Sequence, residues 1–174
     1  MSMLIRYKKK GGFFQLVQLI ETSNSKKREQ FLSLIKVESP IWEAELRKKV
    51  LSLEKVLGWE NSIISEIISR IPTITLTTIL QSRTKNDYDK LYSLLSFADQ
   101  RKYQDNVANP PNAGEIQTAE DKVLQEVRNL ISLGIIKLEK VDPSLIIQDN
   151  IEEHLENLSL HKSSKENDDR VEIT

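Results

Sequence analysis

Chemistry in a protein needs side chains that titrate, ligate or attack, and this chain holds few arranged for any of those tasks. Its only histidines, His154 and His161, lie seven residues apart, a spacing that puts both on one helical face beside several glutamates. A useful metal site needs a supporting shell around such ligands, and the surrounding polar residues read better as a solvated tail. Asp168 and Asp169 lack the further oxygens that calcium demands. Cysteine is absent, which excludes disulfides, thiolate zinc sites, iron–sulfur ligation and cysteine nucleophiles. No glycine-rich phosphate cradle is present, so the expectation is a protein that is not an enzyme and carries no metal or cofactor.

The other candidate is a patch of charge. Asp99, Arg101, Lys102 and Asp105 follow Ser96 in a polar segment that ends near Val107. Ser96 suits an N-cap, and helical spacing then sets Arg101 and Asp105 four residues apart. Such a pair contributes only about 0.3 to 0.5 kcal/mol at a surface, too little for folding to require the pattern. A partner of complementary charge is a better use for it. Lys8, Lys9 and Lys10 with Arg6, and Lys26, Lys27 and Arg28, form basic clusters, but a net charge of −1 excludes a globally basic nucleic-acid binder. The sum hides an asymmetry: residues 1–50 carry eleven Lys or Arg against five Asp or Glu, and residues 141–174 carry three against nine. The longest apolar runs, such as Ile71 to Leu80, are too short for a membrane span, and the expected place is the cytoplasm without direct membrane insertion.

The elements that position these residues follow a helical period. Phe13, Leu16, Val17 and Ile20 form one stripe, and Phe31, Leu34 and Ile35 a second. Ser39 before Pro40 marks a helix start, and Trp42, Leu46, Val50, Leu53 and Leu57 share a face over about five turns until Gly58 offers a left-handed stop. Ile63, Ile64, Ile67, Ile68 and Ile71 make a stripe closed by Pro72. The stretch from Thr73 to Leu80 suits a strand by its β-branched residues and a helix by Ile74, Thr77 and Leu80; a short helix is expected, because no partner strand is evident nearby. Tyr88, Leu91, Leu94 and Leu95 come next. After a loop over residues 109–114, Thr118 is the expected cap of a long helix that closes at Gly134, with Ile135 to Leu138 as a short extended segment. Ile151, Leu155 and Leu158 give a weak amphipathic pattern before a polar end, from His161 to Thr174, expected to be disordered.

From Gly11 to about Val141 this pattern resembles the carboxy-terminal half of the FliG family, the rotor proteins of the bacterial flagellar motor switch. The glycine pair that opens an amphipathic helix in the family falls on Gly11 and Gly12. The family's Met-Phe-x-Phe hinge falls on Val50, Leu51, Ser52 and Leu53, followed by the matching Glu54. A small-residue turn falls on Leu80 to Arg83, the charged helix on Ser96 to Val107, and the closing glycine with its apolar followers on Gly134, Ile135 and Ile136. Departures are local: Asn106 replaces the second residue of an Asp-Asp pair begun by Asp105, and Ala98, Gln81 and Gly114 stand where basic residues are usual.

The helical periods point to an all-α fold, in which the resemblance implies an armadillo-like helical unit over 11–57 and a FliG-type carboxy-terminal helical domain over 58–140, while the charge distribution sets off a basic lead over residues 1–10 and an acidic tail over 141–174. Helix-boundary roles fall on Gly11, Gly12, Gly58 and Gly134. The resemblance also implies that Asp99, Arg101, Lys102 and Asp105 face a MotA-type stator and that the armadillo-like unit packs on FliG itself or a FliG-like neighbour. FliM is a further implied partner, and the flagellar basal body at the inner face of the cell membrane the implied place. Without the family's amino-terminal and middle domains, the expectation is a truncated or divergent paralogue. The alternatives are a helical adaptor that keeps the fold with other partners, and an unrecognised enzyme.

Overall fold

The computed structural model describes residues 2–107 and 109–168, with side chains through His161. The described chain is helical, and it divides into two units, residues 1–50 with 144–174 and residues 51–143. The domain boundary expected at 57/58 therefore falls earlier, and the segment after Pro143 belongs to the first unit instead of forming a separate tail.

In the first unit, a 3-10 turn at Leu4–Tyr7 precedes α1 (Gly12–Glu21), α2 (Ser25–Glu38) and α3 (Pro40–Lys49), and α11 (Ile151–Asp168) completes it. Gly11 has φ of 81°, a left-handed conformation that only glycine adopts cheaply. A Cβ on Gly12 would lie 2.1 Å from the Tyr7 carbonyl oxygen, so the two glycines let the turn fold tightly back before α1 begins. The α1 stripe of Phe13, Leu16, Val17 and Ile20 is buried with Trp42 and Leu46 of α3. Phe13 and Trp42 meet at 5.6 Å between ring centroids. In α2 the buried face is Leu32 and Ile35; Leu34 is exposed and Phe31 only half-buried, so the expected stripe is rotated.

Ser39 ends α2 and caps α3, with its hydroxyl accepting from Trp42 N at 3.5 Å. The five-turn helix expected from here breaks in two. Val50 is extended at ψ 126° and Ser52 at ψ 157°, and the Ser52 hydroxyl accepts from Lys55 N at 3.3 Å, starting α4 (Leu53–Leu57). A polar residue able to cap its own downstream turn outcompeted the apolar periodicity. Gly58 ends α4 with φ of −76°, so it supplies no left-handed stop; that role falls to Gly134, at φ 70°.

The second unit continues with α5 (Asn61–Ile68), α6 (Thr73–Ser82), α7 (Lys85–Leu94), α8 (Phe97–Asn106), α9 (Ala113–Ser132) and α10 (Leu138–Val141). Thr73–Ser82 is helical, but Thr75, Leu76, Thr77, Ile79 and Leu80 are buried while Ile74 is exposed. α6 is the centre of the unit, packing on α7, α8 and α9. α9 begins five residues before the expected cap at Thr118, because Asn112 and Glu115 form a reciprocal capping box. Ile135 to Leu138 is a bend leading into α10, not an extended segment; there Ile135 N and Ile136 N both donate to the Leu130 carbonyl and Ile136 is buried. The backbone stays helical to Asp168, past the expected disorder at His161; residues 169–174 lie outside the described residues.

Candidate protein-binding surface

The helix carrying the charged patch is anchored from beneath. Tyr103 is the one buried residue of α8, and it meets Tyr92 edge-on at 5.7 Å and Tyr88 at 5.9 Å, while Tyr88 and Tyr92 stack at 5.4 Å. Aromatic pairs of this geometry contribute about 0.5 to 1.5 kcal/mol each beyond burial. Gln100 Nε2 donates to the Tyr92 carbonyl at 3.1 Å, and Gln104 Nε2 to the Tyr92 hydroxyl at 3.1 Å. Burial, with a hydrogen bond to Tyr88 and the nearby tyrosines, pushes the Tyr103 hydroxyl up to about 12. The inner face of α8 is thus a neutral, tightly keyed footing, and only Tyr88 of this cluster stood out in the apolar pattern.

Of the candidate residues, Arg101, Lys102 and Asp105 are exposed, while Asp99, one turn before Tyr103, is half-buried. Ser96 caps α8, its hydroxyl accepting from Asp99 N at 3.2 Å and donating to the Asp99 carboxylate at 2.6 Å. Lys102 reaches Asp99 at 3.8 Å, while Arg101 and Asp105 are exposed and make no ion pair with each other among the described residues. The structure brings all four onto one exposed helix. Sequence reasoning passed over Phe97, which follows the cap and is 88% exposed at the head of the same helix. Its type was visible, but an aromatic after an N-cap is ordinarily assigned to the core.

The hinge residues and glycines sit elsewhere. Val50, Leu51 and Leu53 are buried and Ser52 is half-buried at the cap of α4. Beyond it, Glu54 lies 3.6 Å from Arg83, which also pairs with Glu120 of α9. Lys90 Nζ donates to the Leu57 carbonyl at 2.5 Å, placing a cation at the C-terminus of α4, where the helix dipole favours it. These contacts hold α4 within the second unit. Among the described residues no group of three His, Asp or Glu is arranged to hold a metal, and no helix is long and apolar enough to cross a membrane.

The described chain is thus all-α in two helical units, and in the second a helix bearing exposed charges rests on an aromatic footing. The family model of the FliG C-terminal domain matches residues 33–138, more than half the chain. The chain belongs to that family. A crystal structure of FliG from H. pylori, residues 116–343, is similar with a TM-score of 0.48 and 18% identity, over 74% of this chain and 58% of that one. No curated protein shows significant similarity.

Proposed function

We propose that the chain is a FliG-like component of the flagellar motor rotor or switch, working through protein–protein contacts in motility. In this reading α8 meets a MotA-type stator protein through Asp99, Arg101, Lys102 and Asp105, with Phe97 as an apolar anchor. The first unit packs on FliG or a FliG-like neighbour, FliM is a further partner, and the protein works in the cytoplasm at the basal body. Family membership supports the motor assignment at its coarsest level. The observation that carries the α8 assignment is the division of labour on that helix: Tyr103, Gln100 and Gln104 hold it down, leaving Arg101 and Asp105 exposed without a mutual ion pair.

The test is to replace Arg101 by Glu and Asp105 by Lys in separate variants. Each is expected to move stability by less than about 1 kcal/mol, as for surface sites. Each should also reduce motility and stator binding in the native host, most strongly at low salt, where exposed charges are least screened. If both variants keep motility and stator binding at the unmodified level, the adaptor with non-flagellar partners replaces the rotor assignment.

A further inference from the structure

Within the second unit, residues of α6, the end of α8, the segment after it and α9 line a groove of about 370 Å³, within the size range of small-molecule sites. Its hydrogen-bonding capacity is one-sided. Thr77, Thr78 and Thr118 line it, and each hydroxyl lies against a carbonyl of its own helix, at Thr73 (2.9 Å), Ile74 (3.1 Å) and Gly114 (2.9 Å). A carbonyl only accepts, so each hydroxyl has committed its proton there and offers lone pairs alone to anything else. Asn106 Nδ2 donates to the Lys102 carbonyl at 2.7 Å and Gln81 Nε2 to the Asn109 carbonyl at 3.4 Å, which ties up one N–H of each and leaves both amide oxygens as acceptors. Thr75, only 4% exposed, lines the same groove, and its hydroxyl makes no hydrogen bond among the described residues. Polar groups so buried are ordinarily partnered, so this one points to a group from outside the chain.

Two charges line the groove, Glu115 and Lys122, and neither makes an ion pair among the described residues. They lie two turns apart on α9, about 10 Å at the helical rise. One oxygen of Glu115 accepts from Asn112 N at 2.8 Å, leaving the other uncommitted. Ala119 lies between the two along α9, and Ile74, 62% exposed, lines the groove as well, so the bed includes an apolar strip. We propose that the groove binds an arginine whose carboxylate is free. Its guanidinium donates to Glu115 and the threonine oxygens, its methylenes lie on Ile74 and Ala119, and its carboxylate pairs with Lys122. A guanidinium has five donors and no acceptor, the complement of a wall that mostly accepts. Six bonds separate it from the carboxylate, about 7 Å when extended, and the Glu115 and Lys122 side chains span the remainder. Free arginine and the last residue of a peptide ending in arginine share this chemistry. The side chains of Asp99, Arg101, Lys102 and Asp105 take no part, so the site stands apart from the stator assignment.

The test is calorimetric titration of the full chain with L-arginine, L-citrulline, arginine amide and the peptide Gly-Gly-Arg. Saturable binding of L-arginine is expected. Citrulline, with a neutral urea for the guanidinium, and arginine amide, without the carboxylate, should each bind about three- to tenfold more weakly. Tighter binding of Gly-Gly-Arg than of arginine assigns the site to a chain terminus, and the reverse assigns it to the free amino acid. Glu115→Gln preserves the capping box, which glutamine also serves, and should bring arginine down to the level of citrulline. Thr75→Val should lower arginine affinity about threefold while leaving thermal stability equal or higher, because the hydroxyl it removes has no partner among the described residues. A threonine with a purely structural role would move stability and leave binding alone. The proposal is overturned by an absence of saturable binding at millimolar arginine and Gly-Gly-Arg, by equal affinity for arginine and citrulline, or by a Thr75→Val variant that binds as the unmodified chain does.

Discussion

Between Leu51 and Pro143 the helices of the second unit α4, α7, α8 and α9 each begin on a Ser, Thr or Asn that immediately precedes them, so their starts are set locally. In the first unit the two leading elements have no such residue, and distant carboxylates do the work. Glu38 accepts from Ser2 Oγ, Met3 N and Leu4 N, and Glu152 accepts from Phe13 N across 139 positions of chain. The lesson is that capping is a requirement of the helix and not of the neighbouring sequence. Where the local residue is Gly11 or Met3, the requirement is met by a side chain that only the tertiary fold delivers. The starts of the 3-10 turn and of α1 therefore depend on parts of the chain brought together by folding, while α2 and α3, capped by Asn24 and Ser39, and the four helices named in the second unit are specified in place.

The sharpest way to break this contrast is Phe13→Ala, which removes a fully buried ring from the one cluster that α1, α3 and α11 share. A loss of about 3 to 5 kcal/mol is expected, with amide exchange quickening across α1, α3 and α11. Equal quickening across α6 and α9 would show that the units do not unfold separately. Leu53→Ala is the counterpart in the second unit, at the first position of α4, and should cost about 2 to 5 kcal/mol by thermal unfolding. A negligible cost would mean that α4 does not belong to that core.

Alkaline titration separates the units more gently. An unfolded tyrosine ionises near pH 10, while burial holds the Tyr103 proton to about 12. The folded state thus binds more protons over that interval, and the second unit should lose up to roughly 2 kcal/mol as pH rises through it. Ultraviolet absorbance of the tyrosinates checks this, since Tyr103→Phe should remove the late-ionising component. The smallest expected effect is in acid. Hydrogen bonds from Ser2, Leu4 and Met3 hold the Glu38 carboxyl below its ordinary 4.5, so its contribution is present above that pH and is lost as pH falls through the lowered value. Glu38→Gln should flatten this acid dependence at a cost below about 1 kcal/mol at neutral pH, as for a surface position.

The parts legible in the sequence are those decided by near neighbours. Ser39 with Pro40, the turn at Gly11 and Gly12, the α1 stripe and the Ser96 cap could all be read because their partners lie within a turn or two. The break at Ser52 and the capping box at Asn112 were local as well, but the first was masked by the apolar period running through it and the second by the turn-forming Pro110, Pro111 and Gly114 around it. The rotation of α2 and α6 was invisible for a different reason. Leu34 against Leu32, or Ile74 against Leu76, differ little in type, and what α3 or α9 offers opposite them decides which turns inward. The tyrosine footing of α8 and the Glu152 cap depend on contacts between helices, which periodicity within one helix does not report.

The split makeup of the first unit also sets an order of events while the chain is being made. Its first fifty residues leave the ribosome with Phe13 and Trp42 but without Ile151, Glu152 and Leu155. Roughly another hundred residues must be added, which takes on the order of 5 to 20 s at ordinary synthesis rates. The second unit can fold during that wait. The nascent first unit meanwhile shows an uncovered α1 and α3 face to whatever is near the tunnel exit, which makes it the stage at which a chaperone has most to hold.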